Sequence, residues 1–291
     1  MAAQTRGCYF LANDEMLEFA IAFLNSFRTY NPLVPLCLVP FNDAFDKVAS
    51  LQSEYNFSIW SDAASLRRCD DISRHFHGTT AGQYRKLALW EGPYEQFVYI
   101  DTDTVVLSPI EFMFPLISKH GLVTSHSHIP SIRKFVWKDS IDRAGVLSVP
   151  QTSFAANTGC IASRRGYLSL DGAERSLKAG VELIPHMELM CAEQPFLNYL
   201  IVTSGHSYTS LHVLWQLHHL DVPRERWAGN YMGTFVNGVI SPESEERILL
   251  VHWAGEWRKL GTQAFPHVGL WTHYRNLRKS GHFGRTNEVT P

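Results

Sequence analysis

Between Gly7 and Ser127 the sequence alternates between two hydrophobic periodicities, and this limits the possible fold more than any other feature. Short apolar runs read as buried strands: "GCYFLA" (7–12), "LVPLCLVPF" (33–41), "FSIWS" (57–61), "QFVYID" (96–101) and "GLVTSHS" (121–127). Segments of helical spacing separate them. In "NDEMLEFAIAFLNSFRTY" (13–30), Asn13 or Asp14 can cap a stripe of Met16, Leu17, Ala20, Ile21, Leu24 and Phe27. "FDKVASLQSEY" (45–55) and "TTAGQYRKLALWEG" (79–92) follow, and then "PIEFMFPLIS" (109–118), which opens on a helix-starting proline. Strands that alternate with helices predict an α/β fold, a mostly parallel central sheet flanked by helices. On such sheets ligands sit beyond the carboxyl ends of the strands.

The second half is less regular. "HIPSIRKFVWKDSIDRAGVLSVPQ" (128–151) has mixed polarity and reads as a long excursion, a candidate lid. "SFAANTGCIASRRG" (153–166) reads as a strand and a turn, "CAEQPFLNYLIVTSG" (191–205) as a helix, and "RILLVHWAG" (247–255) as a strand that delivers His252. The tail "RKSGHFGRTNEVTP" (278–291) is polar and expected to fray. No repeat, low-complexity linker or break in composition divides the 291 residues, so a single domain is expected over 1–291, with a core of about 7–260 and a C-terminal helix or tail of about 261–291.

Composition excludes several classes. The chain is 45% hydrophobic and 19% charged, too apolar for a disordered chain. A formal net charge of -2 gives no general attraction to nucleic acid, and no nucleic-acid partner is expected. Five scattered cysteines with no CxxC pair argue against a disulfide framework or a cysteine zinc site. No signal-peptide pattern opens the chain, and the apolar run at 33–41 is too short to span a bilayer. The expectation is a cytoplasmic protein without a transmembrane segment; attachment to a membrane surface stays open.

In "FVYIDTDTVV" a buried strand runs directly into Asp101 and Asp103. Burying one unpaired carboxylate costs several kcal/mol or shifts its pKa, and two side by side compound the difficulty. A divalent cation relieves it, because carboxylate oxygens suit Mg²⁺ or Mn²⁺. A solvated turn, or a phosphohydrolase nucleophile, would place similar residues there.

The segment resembles the DxD strand of GT-A glycosyltransferases, and of glycosyltransferase family 8 in particular, the family of glycogenin and bacterial lipopolysaccharide galactosyltransferases. Four further segments are similar to that family in order. "YRKLALWEG" puts Arg85 and Lys86 where a basic residue reaches the nucleotide sugar. "AANTGC" puts Asn157 near the donor sugar and Gly159 at a close approach. "AEQPFLN" aligns Gln194 with the glutamine near the anomeric carbon, and puts Glu193 where the family has aspartate. "LLVHWAGEWRK" makes His252 the third metal ligand and Gly255 a diphosphate neighbour, with Arg258 in place of the family's lysine. The first strand, with Asn13 and Asp14 at its end, resembles the family's nucleotide-base edge.

The resemblance implies transfer of a sugar from a nucleotide diphosphate sugar, a UDP-sugar, with retention of anomeric configuration. It implies Asp101, Asp103 and His252 as ligands of Mn²⁺ (or Mg²⁺), a donor site of Asn13, Lys86, Asp101, Asp103, Asn157, Gly159, Gln194, Gly255 and Arg258, and Gln194 and Glu193 at the reacting carbon. Histidine among the ligands favours Mn²⁺. The acceptor, whether protein, glycan, lipid or small molecule, is not readable, nor is the oligomeric state. Two alternatives compete. One is a degenerate nucleotide-sugar-binding protein. The other is a haloacid dehalogenase-type phosphohydrolase with Asp101 as nucleophile, disfavoured because about a hundred residues precede Asp101 and no downstream acidic pair follows.

Among other residues, His126 and His128 read as surface or acceptor-site polar groups. "RRCDDISRHFHG" (67–78) reads as a solvated segment near the donor. Trp90, Trp253 and Trp257 read as packing residues, with sugar stacking open for the last two.

Overall fold

The computed structural model describes residues 6–241, 244 and 246–277; the tail at 278–291 lies outside them. The strands are β1 (Arg6–Ala12), β2 (Leu36–Pro40), β3 (Phe57–Ile59), β4 (Gln96–Asp101), β5 (Thr104–Val106), β6 (Leu122–Thr124), β7 (Cys160–Arg164), β8 (Tyr208–Ser210), β9 (Arg224–Trp227), β10 (Phe235–Val236), β11 (Val239–Ile240) and β12 (Ile248–His252). The central sheet has seven strands in the order β3-β2-β1-β4-β7-β6-β8. All its pairings are parallel except those of β7, which runs antiparallel to β4 and β6.

The strands are buried on both faces, so their sequences are apolar runs and not half-polar alternations. Successive side chains still point to opposite faces. Tyr9 and Leu11 of β1, Tyr99 of β4 and Ile161 of β7 share one core with Leu66, Cys69, Ile72 and Phe76 of the helix Ala63–His77. Cys8, Phe10, Val98, Ile100 and Cys160 share the other with Ala20, Phe23, Leu24 and Phe27 of the helix Leu17–Tyr30. A smaller sheet, β5-β12-β9, lies beyond the end of β4.

Several local expectations need correction. Residues 67–77 lie in the helix Ala63–His77, capped by the Asp62 side chain on the amides of Ala64 and Ser65 and ended by Gly78 at φ 82°; Arg67, Asp71, Arg74 and His75 are exposed as expected of a solvated segment, while Cys69, Ile72 and Phe76 are buried. The expected helix at 79–92 is a run of 3₁₀ turns, Gly82–Glu91, in which eight of ten residues are buried and packing overrides helical propensity. Residues 45–55 split into two single-turn helices. The helix after Pro109 begins only at Met113. The helix Leu170–Glu182 was not anticipated. Phe154 ends a helix, Val149–Phe154, and does not open a strand. The stretch 128–151 is anchored to the body of the protein: Val136, Trp137 and Ile141 are fully buried and Trp137 bridges to Met187.

Candidate active site

The strand order reverses direction between β1 and β4, so a crevice opens beyond their carboxyl ends. β1 delivers Asn13 to this edge and β4 delivers Asp101. The turn after β4 is pinned from both sides: Thr102 Oγ1 donates to the carbonyl of Leu11 at 2.5 Å, and Thr104 Oγ1 to that of Asp101 at 2.8 Å. The chain then enters β5, which pairs antiparallel with β12 so that His252 faces Thr104. The Trp253 amide donates to the Asp103 carbonyl at 2.9 Å. Backbone pairing thus brings residue 252 against residue 103.

His252 Nε2 lies 3.2 Å from Asp103 Oδ1 and 3.9 Å from Asp101 Oδ2. One donor atom from each of the three residues falls within 4.8 Å of the others. Burial alone would lower the pKa of the His252 imidazole, but the carboxylates of Asp103 and Glu225 outweigh it and hold it well above the ordinary value. The donor set fits a hard divalent cation: two carboxylate oxygens and one imidazole nitrogen, the ring held by a carboxylate on its far side.

The packing around the cluster fits as well. A Cβ on Gly159 would stand 2.5 Å from His252 Cε1, 2.9 Å from Asp101 Oδ2 and 3.0 Å from Asn157 Oδ1, so only glycine leaves the cluster room. The Gly159 carbonyl meanwhile accepts from the Asp101 amide at 2.7 Å, which ties the backbones together.

A second layer extends from Asp101. Its Oδ1 accepts from the Tyr99 hydroxyl and lies 3.0 Å from Lys86 Nζ. Lys86 is buried and also reaches Glu193 Oε1 at 2.7 Å. Burial works against its charge, but Asp101 and Glu193 outweigh burial and raise its pKa, so it stays cationic. Burial raises the pKa of Glu193, and Lys86 offsets only part of this. Thr158 ties the layer together: its hydroxyl donates to Glu193 Oε1 at 2.9 Å and its amide to Gln194 Oε1 at 3.2 Å. Gln194 Nε2 donates to the Phe135 carbonyl at 3.2 Å, and Asn157 Oδ1 accepts from the Gly159 amide at 2.8 Å.

The structure therefore joins Lys86, Asp101, Asp103, Asn157, Gly159, Glu193, Gln194 and His252 into one patch. The other predicted residues are not bonded into it. Asn13 is buried and caps the turn at 14–16, accepting from the Met16 amide at 3.3 Å. Gly255 sits exposed after β12 at φ 74°, a conformation that favours glycine. Arg258 is exposed, its guanidinium 4.7 Å above the Trp257 ring. Arg85 points elsewhere, to Asp70 at 2.8 Å and the Pro40 carbonyl at 3.0 Å. Trp90 and Trp253 are core residues.

The sequence reading missed Tyr99, Thr158 and Glu225. Tyr99 and Thr158 each lie within two residues of a singled-out position, but nothing in a strand tyrosine or a loop threonine marks it as polar support. Glu225 stands in "VPRERWAG", a charged stretch that reads as surface, yet it is fully buried. His126 is buried beside it, which removes the surface half of the expectation of a surface or acceptor-site group.

No protein-family model matches this sequence, and no curated protein matches it. The fold is that of the GT-A glycosyltransferases. Among solved structures, the chain is similar to the galactosyltransferase LgtC in complex with donor and acceptor sugar analogues: TM-score 0.61, 12% identity, 95% of this chain and 97% of that one. It is similar to the bifunctional glycosyltransferase WbbM at TM-score 0.59 and 12% identity, covering 95% of this chain but only 50% of that one. It is also similar to mouse xyloside xylosyltransferase 1 at TM-score 0.52 and 12% identity, over 86% of this chain and 97% of that one. Among the described residues no helix is long and apolar enough to cross a membrane.

Proposed function

We propose that this chain is a metal-dependent glycosyltransferase that moves a sugar from a nucleotide diphosphate sugar, a UDP-sugar, to an acceptor with retention of configuration. The observation that carries the reading is the convergence of Asp101, Asp103 and His252 at the carboxyl end of the sheet, beside a buried cationic lysine. Mn²⁺ suits the mixed oxygen and nitrogen donors, with Mg²⁺ as the substitute. When bound, the cation would neutralise charge that develops on the departing diphosphate. LgtC, which shares the fold, has been seen with donor and acceptor sugar analogues, which supports a nucleotide-sugar donor here.

The protein's own residues divide the remaining work. Lys86, buried, adds a fixed positive charge next to Asp101. Gln194, held at both ends of its amide by Thr158 and Phe135, faces the sugar. A glutamine-to-glutamate change in LgtC is described as an active-site mutant; Gln194 is read as a glutamine of that kind on the sequence resemblance. Glu193 is read as a positioning group for Lys86 and not as a nucleophile: its Oε1 is occupied by Lys86 and Thr158, and the side chain is almost wholly buried. With Glu193 engaged in this way, the acceptor's proton goes to the leaving phosphate on the same face of the sugar. Asn13, Asn157, Gly159, Gly255 and Arg258 line the donor. A phosphohydrolase reading is set aside, because Asp101 is engaged by Lys86 and Tyr99 within a sheet of glycosyltransferase order.

The test is Mn²⁺-dependent hydrolysis across a panel of UDP- and GDP-sugars. Slow release of sugar from one donor, lost in Asp103→Ala, is expected. Phosphatase activity without sugar release would overturn the reading, as would donor binding that is unchanged in Asp103→Ala.

A further inference from the structure

The residue opposite the cation site deserves a role of its own. Glu225 comes from β9, which pairs parallel with β12 and sets Trp227 beside His252. Its side chain has no solvent exposure at all, rare for a carboxylate without a charged or metal partner. Three groups converge on it. Glu225 Oε1 lies 2.6 Å from His252 Nδ1 and accepts from the Trp227 indole N–H at 3.2 Å. Glu225 Oε2 lies 3.4 Å from His126 Nδ1, and the His126 ring packs on Trp227 with centroids 4.7 Å apart. Both oxygens are therefore used, and none of the partners belongs to the donor patch except His252.

We propose that Glu225 is the positioning residue of the cation site: by accepting from His252 Nδ1 it fixes the ring's tautomer and rotation so that the Nε2 lone pair points between Asp101 and Asp103. An imidazole has two nitrogens, and only one tautomer leaves the lone pair on the metal side. A carboxylate on the far nitrogen selects that tautomer and makes the ring a better donor. His126 and Trp227 in turn keep the carboxylate from rotating, since each occupies a lone pair that rotation would vacate. The Trp253–Asp103 backbone bond fixes where His252 begins, and Glu225 fixes where its ring ends. This inference rests on the metal-dependent reading above.

The experiment is a Mn²⁺ titration of the full-length protein, followed by the electron paramagnetic resonance signal of free Mn²⁺, in wild type, Asp103→Ala, Glu225→Gln and Trp227→Phe. Glutamine keeps the shape but offers a neutral amide, and the expected result is a loss of roughly 10- to 100-fold in affinity. Trp227→Phe removes one hydrogen bond to the carboxylate and should cost about five-fold. Long-range proton–nitrogen correlation spectra of the Cd²⁺-loaded, ¹⁵N-histidine-labelled protein give the readout that a merely structural role would not move. Wild type should show His252 bound to Cd²⁺ through Nε2 alone with the proton on Nδ1, and Glu225→Gln should show a second population in which the ring has turned and the proton sits on the other nitrogen. Wild-type affinity with an unchanged tautomer in Glu225→Gln overturns this inference alone, as does unchanged affinity in Trp227→Phe should Glu225→Gln not fold. Equal affinity in wild type and Asp103→Ala overturns the metal-dependent reading, and this inference with it.

Discussion

Adding one methyl group at Gly159 tests the site more sharply than removing a ligand. A Cβ there would stand 2.5 Å from His252 Cε1, about 1 Å short of an ordinary carbon–carbon contact. The clash has few ways out. The Gly159 carbonyl is held by the Asp101 amide at 2.7 Å and its own amide is bonded to Asn157. The ring cannot retreat without stretching its 2.6 Å contact with Glu225. Asp101 Oδ2, at 2.9 Å, is the other atom in the way. Overpacking of this kind costs about 1–3 kcal/mol, and here the strain falls on two of the three residues proposed as cation ligands. Gly159→Ala is therefore expected to fold, to melt a few degrees lower, and to bind Mn²⁺ about 10- to 100-fold more weakly. Calorimetry of the metal-free protein reads the first effect and a Mn²⁺ titration the second. A variant that binds Mn²⁺ within about two-fold of wild type, where 1–3 kcal/mol was expected to act on the ligands, would refute the reasoning.

Two further outcomes follow from the buried charges around Lys86. Lys86→Met strands Glu193 without its cation, and should destabilise the protein by roughly 3–5 kcal/mol near neutral pH in urea unfolding. Because burial raises the pKa of Glu193, the penalty is absent below the ordinary value of 4.5 and grows as pH rises above it, so the gap between variant and wild type should narrow in acid; a gap independent of pH would sink the assignment. The half-buried Cys191 thiol is pushed up to about 11 by burial, then by Glu193 and Glu188, with Lys86 and Arg258 pulling the other way. Its alkylation by iodoacetamide should therefore be slow at pH 8 and rise about ten-fold per pH unit until near 11, read by mass spectrometry of the labelled peptide.

The parts of the fold legible in the sequence were those in which a single run of residues holds the whole signal. β1 and β4 are uninterrupted apolar runs closed by polar residues, and they appear where expected. Asp101 and Asp103 were legible for the same reason: two carboxylates after a buried strand have few uses. The helix Ala63–His77 was missed because arginines, aspartates and histidines interrupt its apolar residues throughout, and only the spacing of Leu66, Cys69, Ile72 and Phe76 betrays a buried face. The 3₁₀ run Gly82–Glu91 could not be told from an α-helix, since what tightens it is burial on nearly every side. Glu225 was beyond reach for a different reason. Its partners, His126 and His252, stand 99 and 27 positions away, and only the pairing of β9 with β12 makes a surface-like "RERW" an interior element.

The placement of β12 has a consequence for the order in which the protein acquires competence during synthesis. The seven-stranded sheet has all its strands once Ser210 has emerged, and Asp101 and Asp103 are then already in place at its edge. The histidine of the proposed cation site lies more than forty residues later in the chain, on a strand that belongs to the other sheet. A chain that has emerged only as far as Ser210 thus carries both aspartates of that site and not its histidine. At the few to twenty residues per second of translation, the interval lasts seconds. If the proposed cation binds there, the stabilisation that a ligand lends to the state it binds would reach in full only those chains that have delivered β12.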